Sequence, residues 1–209
     1  MTTGRMKTLA AMALSVVTLL AASGAQATLS YRLNGKAVYD SDANLTWLRD
    51  ANVNGLMNWS TAMAWAEGLS IEGVDDWRLP GGPINGDGFN QTTSEMGNLF
   101  YTVLGGVAGS SITTTHNNAT NYAFFQDVQS YRYWSGVELD SDGAWRFGFG
   151  SGSQYDVAKV GNFFAWAVRS GDVGGNPVPA PGTLALLGAG LLGWAGVKRS
   201  RHRVGAVIG

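Results

Sequence analysis

The spacing of apolar residues divides the middle of the chain into short elements. Val38 and Tyr39, then Leu45 and Trp47, flank Asp40-Ser41-Asp42-Ala43-Asn44, which predicts strand, turn and strand over 36–40 and 45–48. Trp59, Ala62, Met63, Ala66 and Leu69 recur at helical spacing behind Asn58 or Ser60 as the cap. A second helix is marked by Thr92 and Glu95 at capping-box spacing, followed by Met96, Leu99, Phe100, Val103 and Leu104 and stopped by Gly105-Gly106. Residues 107–130 are polar and rich in Thr and Asn, and read as a long loop available for interaction. Tyr131 to Leu139, Ala144 to Phe149, Gln154 to Val160 and Phe163 to Arg169 alternate or run apolar between Gly-rich turns, which predicts an antiparallel meander. The expected fold class is therefore α+β, two helices packed on an antiparallel sheet, spanning residues 28–173.

Both ends of the chain carry different patterns. Arg5 and Lys7, an uncharged run from Leu9 to Ala22, and Ala25-Gln26-Ala27 read as a signal peptide over 1–27, cut after Ala27 and predicting export. Residues 174–182 form a Gly- and Pro-rich linker. Within 183–203 an apolar run from Leu184 to Val197 predicts a short transmembrane helix, and Lys198, Arg199, Arg201 and Arg203 hold its end on the cytoplasmic side.

Charge follows the same division. All 15 acids lie between Asp40 and Asp172, whereas six of the 14 basic residues sit in the two ends, leaving residues 28–176 with eight bases and a net charge of −7. That surface repels phosphate backbones, so nucleic acid is not an expected partner. With no cysteine among 209 residues, the chain holds no disulfide, thiolate nucleophile or Cys-ligated metal.

Pro179-Ala180-Pro181-Gly182, the apolar run and the cluster of Arg199, Arg201 and Arg203 together resemble the PEP-CTERM sorting signal of bacteria that make exopolysaccharide. Ala180 stands where that family usually has Glu. The resemblance implies two processing partners, signal peptidase and an exosortase that cleaves near the Pro motif and releases the protein from its membrane helix to the cell surface.

In the middle, Thr46-Trp47, Trp59, Asp76-Trp77-Arg78-Leu79-Pro80, Tyr133-Trp134-Ser135 and Ala167-Val168-Arg169 resemble, in that order, the Lcl-type C-terminal domain of exported bacterial proteins. The Trp-Arg-Leu-Pro element is also similar to one in formylglycine-generating-type domains, and both resemblances imply a C-type-lectin-like fold. Here Gly81-Gly82-Pro83 and a Gly/Asn-rich insertion to Asn90 follow the Pro, which is expected to displace the first turn of the second helix. Trp77 is expected to fill core, Arg78 to hold carbonyls or a carboxylate, and Pro80 to fix the chain before a turn.

Little material for catalysis is present. Formylglycine-generating enzymes act through cysteines, which this chain lacks, and His116 is the single histidine of the middle region, read as a solvated loop residue. Asp40, Asp42 and Asn44 alternate like the start of a calcium loop, as do Glu138, Asp140 and Asp142, but the first series lacks the Gly and Glu an EF-hand requires, and both read as turns. Tyr122, Phe124, Phe125, Tyr131 and Tyr155 are candidates to stack on sugar rings. The reading is a non-catalytic surface protein, a binding or adhesion module for matrix polysaccharide or another surface protein in a biofilm, with no cofactor beyond candidate calcium. The alternative is a hydrolase of extracellular polymer using a pair among Glu67, Glu72, Asp75, Asp76 and Glu95.

Overall fold

The computed structural model describes residues 28–174, and the signal, sorting and membrane segments expected at the two ends lie outside the described residues. The described residues are α+β, with nine strands in two sheets and few helices.

The first sheet grows from a hairpin. β2 (Ala37–Asp40) and β3 (Leu45–Leu48) pair antiparallel with Ala37 opposite Leu48 and Asp40 opposite Leu45. The turn between them is closed by the Asp40 side chain, whose Oδ1 accepts from Asp42 N (3.0 Å) and Ala43 N (3.2 Å), the local bonding that suits Asp to turns. β1 (Leu29–Arg32) adds to one edge and β9 (Val168–Ser170) to the other, so the order is β1-β2-β3-β9. The chain's last described strand thus closes the sheet its first strand opens.

The second sheet has the order β4-β8-β5-β6-β7. β5 (Arg132–Glu138), β6 (Gly143–Gly148) and β7 (Ser153–Ala158) form the expected antiparallel meander. The apolar run after it does not continue the meander. It splits into β8 (Phe163–Phe164), which pairs antiparallel with β4 (Leu56–Met57) and parallel with β5, and β9, which crosses to the first sheet. Trp166 lies in the crossing, and its burial explains why the run is apolar without being one strand.

The faces of this sheet follow from its pairing, since side chains directly opposite share a face. Tyr133, Phe147 and Gln154 point one way, toward a core that includes Trp47, Trp166, Phe100 and Phe149. Arg132, Trp134, Arg146, Gly148, Ser153 and Tyr155 point the other way. On that second face α1 (Trp59–Glu67) buries Ala62 and Ala66 in a cluster with Trp134, Ala144 and Phe163. Asn58 is the cap of α1, accepting from Thr61 N at 2.9 Å.

The second helix differs from the expectation. α2 (Glu95–Asn98) is one turn capped by Ser94, not Thr92, and the chain then widens into a π-helical segment, Leu99–Val103. Glu95 makes no capping box, because its carboxylate is taken by Arg78 and Gly81. The apolar spacing nevertheless reports burial correctly: Met96, Leu99, Phe100, Val103 and Leu104 are all in the core. The insertion 81–90 is tied down at its end, where Gly88 pairs with Gln154 and Asn90 N donates to the Tyr101 hydroxyl at 2.9 Å.

The polar stretch 107–130 is not a free loop. Ile112, Phe125 and Val128 plug the core, α3 (Ala119–Tyr122) makes one turn, and Gln126 exchanges backbone hydrogen bonds with Arg49 and Ala51. His116 is half-buried rather than solvated, with Nδ1 2.7 Å from Ile112 O and its ring stacked on Tyr122 at 4.2 Å. Sparse apolar residues at irregular spacing carry no period, so sequence patterning reads such a segment as loop.

Candidate functional site

The Asp76-Trp77-Arg78-Leu79-Pro80 segment forms the seam between the two sheets. Arg78 exchanges both backbone hydrogen bonds with Val168 of β9 at 2.9 Å, while Pro80 O accepts from Gly136 N (2.8 Å) and Ser135 Oγ (3.0 Å) of β5. Trp77 is buried and donates Nε1 to Val74 O at 2.9 Å; Leu79 packs in the α1 cluster. The Arg78 guanidinium holds both Glu95 oxygens at 2.7 Å, and Glu95 Oε2 also accepts from Gly81 N at 2.7 Å. This planar two-point pairing raises the Arg78 pKa through the bond to Glu95. Arg169 reaches back to Asp75 O at 2.8 Å and lies 3.7 Å from the exposed Asp76 carboxylate. Tyr133 and Trp134 are fully buried, with the Tyr133 hydroxyl accepting from Gln129 N and Trp134 Nε1 donating to Met57 O, each at 2.8 Å. The buried polar groups of Trp77, Tyr133, Trp134 and Ser135 are thereby occupied by protein.

Beside this seam an open cleft of about 260 Å³ separates β2 and β3 from the segment 92–99. Its floor is apolar, formed by Leu45, Trp47 and Leu99, with Pro83 on the rim. Three polar side chains on its walls, Asp40, Thr92 and Asn98, are not spent on the protein: Asp40 Oδ2, the Thr92 hydroxyl and the Asn98 amide have no hydrogen-bond partner among the described residues. The accessible Thr92 hydroxyl and Asn98 amide, beside the buried Asp40 carboxyl, give acceptors and donors of the kind that small polar ligands need. The size suits one sugar ring.

Asp40 is 1% exposed, and burial raises its carboxyl above the ordinary carboxylate value against the two backbone N–H bonds that lower it. A carboxyl with a raised folded value stabilises the fold most below the unfolded value, and that contribution is lost as pH rises through the folded one. Asp40→Asn keeps the Oδ1 acceptor and removes the buried charge. It is expected to melt no lower than the parent at pH 7, with the gap closing toward pH 4; thermal melts across that range check this, and a large loss at pH 7 would contradict it.

The calcium candidates do not converge. Asp40 turns inward, Asp42 is exposed, and Asn44 Oδ1 accepts from the Tyr39 hydroxyl at 2.9 Å. Asp140 Oδ1 closes its own turn on Asp142 N and Gly143 N, and Glu138 pairs with Lys159. Among the described residues no three His, Asp or Glu side chains gather as a metal site. Of the hydrolase candidates, Glu72 pairs with Lys36, Glu95 with Arg78, and Asp76 stands at the surface. Of the proposed stacking aromatics, Phe125 is core and Tyr122 is covered by His116, whereas Tyr131 is 43% exposed.

What the chain's tail does is decided by comparison. Residues 177–200 match the PEP-CTERM protein-sorting motif. The motif implies exosortase as processing partner, and with it export and sorting to the cell surface. The match lies wholly outside the described residues, and no curated protein matches the chain. Replacing Lys198, Arg199, Arg201 and Arg203 by Gln is expected to leave the precursor uncleaved in the membrane, since the basic cluster orients the tail. Immunoblots of membrane and surface fractions check this; normal maturation of that variant would contradict it.

Of the cleft's residues, Asn98 carries no sequence signal, and Thr92 is marked in the sequence only as a helix cap, a role that Ser94 takes. Asp40 was visible as a turn residue and as a calcium candidate, not as part of a cleft.

Proposed function

We propose that residues 28–173 are a non-catalytic binding module of Lcl-type, C-type-lectin-like organisation, presented outside the cell after exosortase processing, where it holds a hydroxyl-rich matrix polysaccharide. The observation that carries this reading is the cleft over Trp47, with the polar groups of Asp40, Thr92 and Asn98 unspent. Neutral sugars present an apolar ring face and hydroxyls around its edge; the exposed Pro83 ring at the cleft meets the first, and Thr92 and Asn98, the accessible polar groups, take the second. The seam motif supports the cleft from behind, because Glu95, which lines it, is immobilised by Arg78 and Gly81 N.

Asn98 is half-buried and its side chain makes no hydrogen bond among the described residues, so Asn98→Ala should leave stability within about 0.5 kcal/mol of the parent, as for other surface changes. The same variant should weaken binding to the neutral fraction of the producing cell's exopolysaccharide about tenfold, the loss of one good hydrogen bond. Unchanged binding in a folded Asn98→Ala protein would move the ligand elsewhere.

A further inference from the structure

A second opening, of about 240 Å³, lies on the face of the β5-β6-β7 meander that α1 partly covers, beyond the part α1 reaches. Arg132 and Arg146 share that face, one rung apart on neighbouring strands. The domain holds eight basic residues, and five of them, Arg32, Lys36, Arg78, Lys159 and Arg169, have ion pairs. Arg49, Arg132 and Arg146 have none among the described residues, although acids outnumber bases 15 to eight in residues 28–176; Arg49 stands alone over the Tyr31 ring, whereas Arg132 and Arg146 line one opening.

Arg146 is the more telling of the two. It is 8% exposed, its Nη1 donates only to Ser153 (Oγ at 3.2 Å, O at 3.4 Å), its Nη2 has no acceptor, and its Nε is buried without one. Its guanidinium lies over the Tyr155 ring at 4.9 Å, which fixes its plane. Burial, and then the charge of Arg132, push its pKa down; Asp87 acts on it without forming an ion pair. A buried cation without an anion is costly, and proteins keep one where a ligand supplies the charge. Around the mouth, Gly148 and Gly150 leave the backbone bare, Tyr131 is exposed, and Arg132 lies 5.8 Å from the centre of its ring.

We infer that this opening is a second binding site, separate from the Trp47 cleft, that takes the carboxylate of an acidic sugar in a polymer between Arg132 and Arg146, with the sugar ring against Tyr131. Guanidinium groups match carboxylates with two donors each, and an exposed tyrosine beside them supplies the flat apolar surface that a ring requires. The site extends the binding reading to a different ligand class and shares no residue with the first cleft. A chain with net negative charge in its folded part would otherwise repel an anionic polymer, so recognition depends on this local pair.

The test uses the full-length protein in detergent with polygalacturonate and with a neutral dextran as probes. Polygalacturonate is expected to bind, to be released by salt, and to be displaced by galacturonate better than by inorganic sulfate or galactose. Arg132→Gln, an exposed position, should fold normally and lose at least tenfold in affinity for polygalacturonate; Arg146→Lys, which keeps the charge but not the planar fork, should also weaken it. Asn98→Ala should leave polygalacturonate binding unchanged, so the failure of either site is seen separately from the other. Equal affinity in a folded Arg132→Gln protein would overturn the site, and equal displacement by sulfate and galacturonate would overturn the sugar assignment.

Discussion

Gly97→Ala is expected to leave little folded protein. Gly97 is buried in α2, and a Cβ there would be driven directly into the Gln91 carbonyl, with the Ser94 hydroxyl at 2.9 Å on the other side. Backbone cannot swing aside as a long side chain can, and Ser94 is also the helix cap, bonded to Gly97 N at 3.2 Å. Relief would have to move the insertion 81–90 or the helix that carries Glu95, breaking the Arg78 pairing that ties it to the sheet seam. Overpacking of this kind costs about 3 kcal/mol or more, against a total stability of roughly 5–15 kcal/mol. Soluble yield and a thermal melt check it: a variant melting within a few degrees of the parent would show that the approach of 91 to 97 is not a fixed feature of the fold.

Trp166→Ala is the second large effect. Trp166 is fully buried where the chain crosses between sheets, with Trp47, Phe125, Tyr133 and Phe149 around it at ring separations of 5.3 to 5.7 Å. Its Nε1 donates to Leu48 O at 2.6 Å. Truncation leaves a cavity at the centre of the main core and an unmet buried carbonyl, costing about 3–5 kcal/mol. A contrast between two tryptophans isolates the hydrogen bond. Trp47 is equally buried but its Nε1 has no partner, so Trp166→Phe should lower the melting temperature more than Trp47→Phe does. Equal losses would mean the Leu48 bond contributes nothing.

How legible these features were depended on whether they left a period. The hairpin of β2 and β3 was readable because Val38, Tyr39, Leu45 and Trp47 flank a turn of Asp and Asn. The first helix was readable, with its cap narrowed to Asn58 or Ser60, and the meander down to its Asp140 to Gly143 turn. The last apolar run was misread as one strand, since local pattern does not record that Phe164 and Val168 belong to different sheets. Ser94 displaced Thr92 as cap because Glu95 had a stronger partner in Arg78, a contact 17 positions away that spacing cannot show. Residues 107–130 looked free because Ile112, Phe125 and Val128 enter the core at irregular intervals. For the sites, Arg146 did leave a trace: one cation inside the apolar run Ala144 to Phe149, a position that needs a partner. Tail and domain differ in the same way, since the sorting motif is a linear signal over 177–200, whereas the cleft is assembled from three separate stretches.

The central claim is that a protein carrying a surface-sorting tail has a folded domain that holds polysaccharide in the cleft over Trp47. The most direct measurement is the melting temperature of the full chain against rising concentrations of the producing cell's own exopolysaccharide. A ligand that binds only the folded state must raise it, by an amount that grows with concentration. The account predicts a saturating rise that Asn98→Ala reduces. A melting temperature that stays flat up to saturating polymer would contradict it.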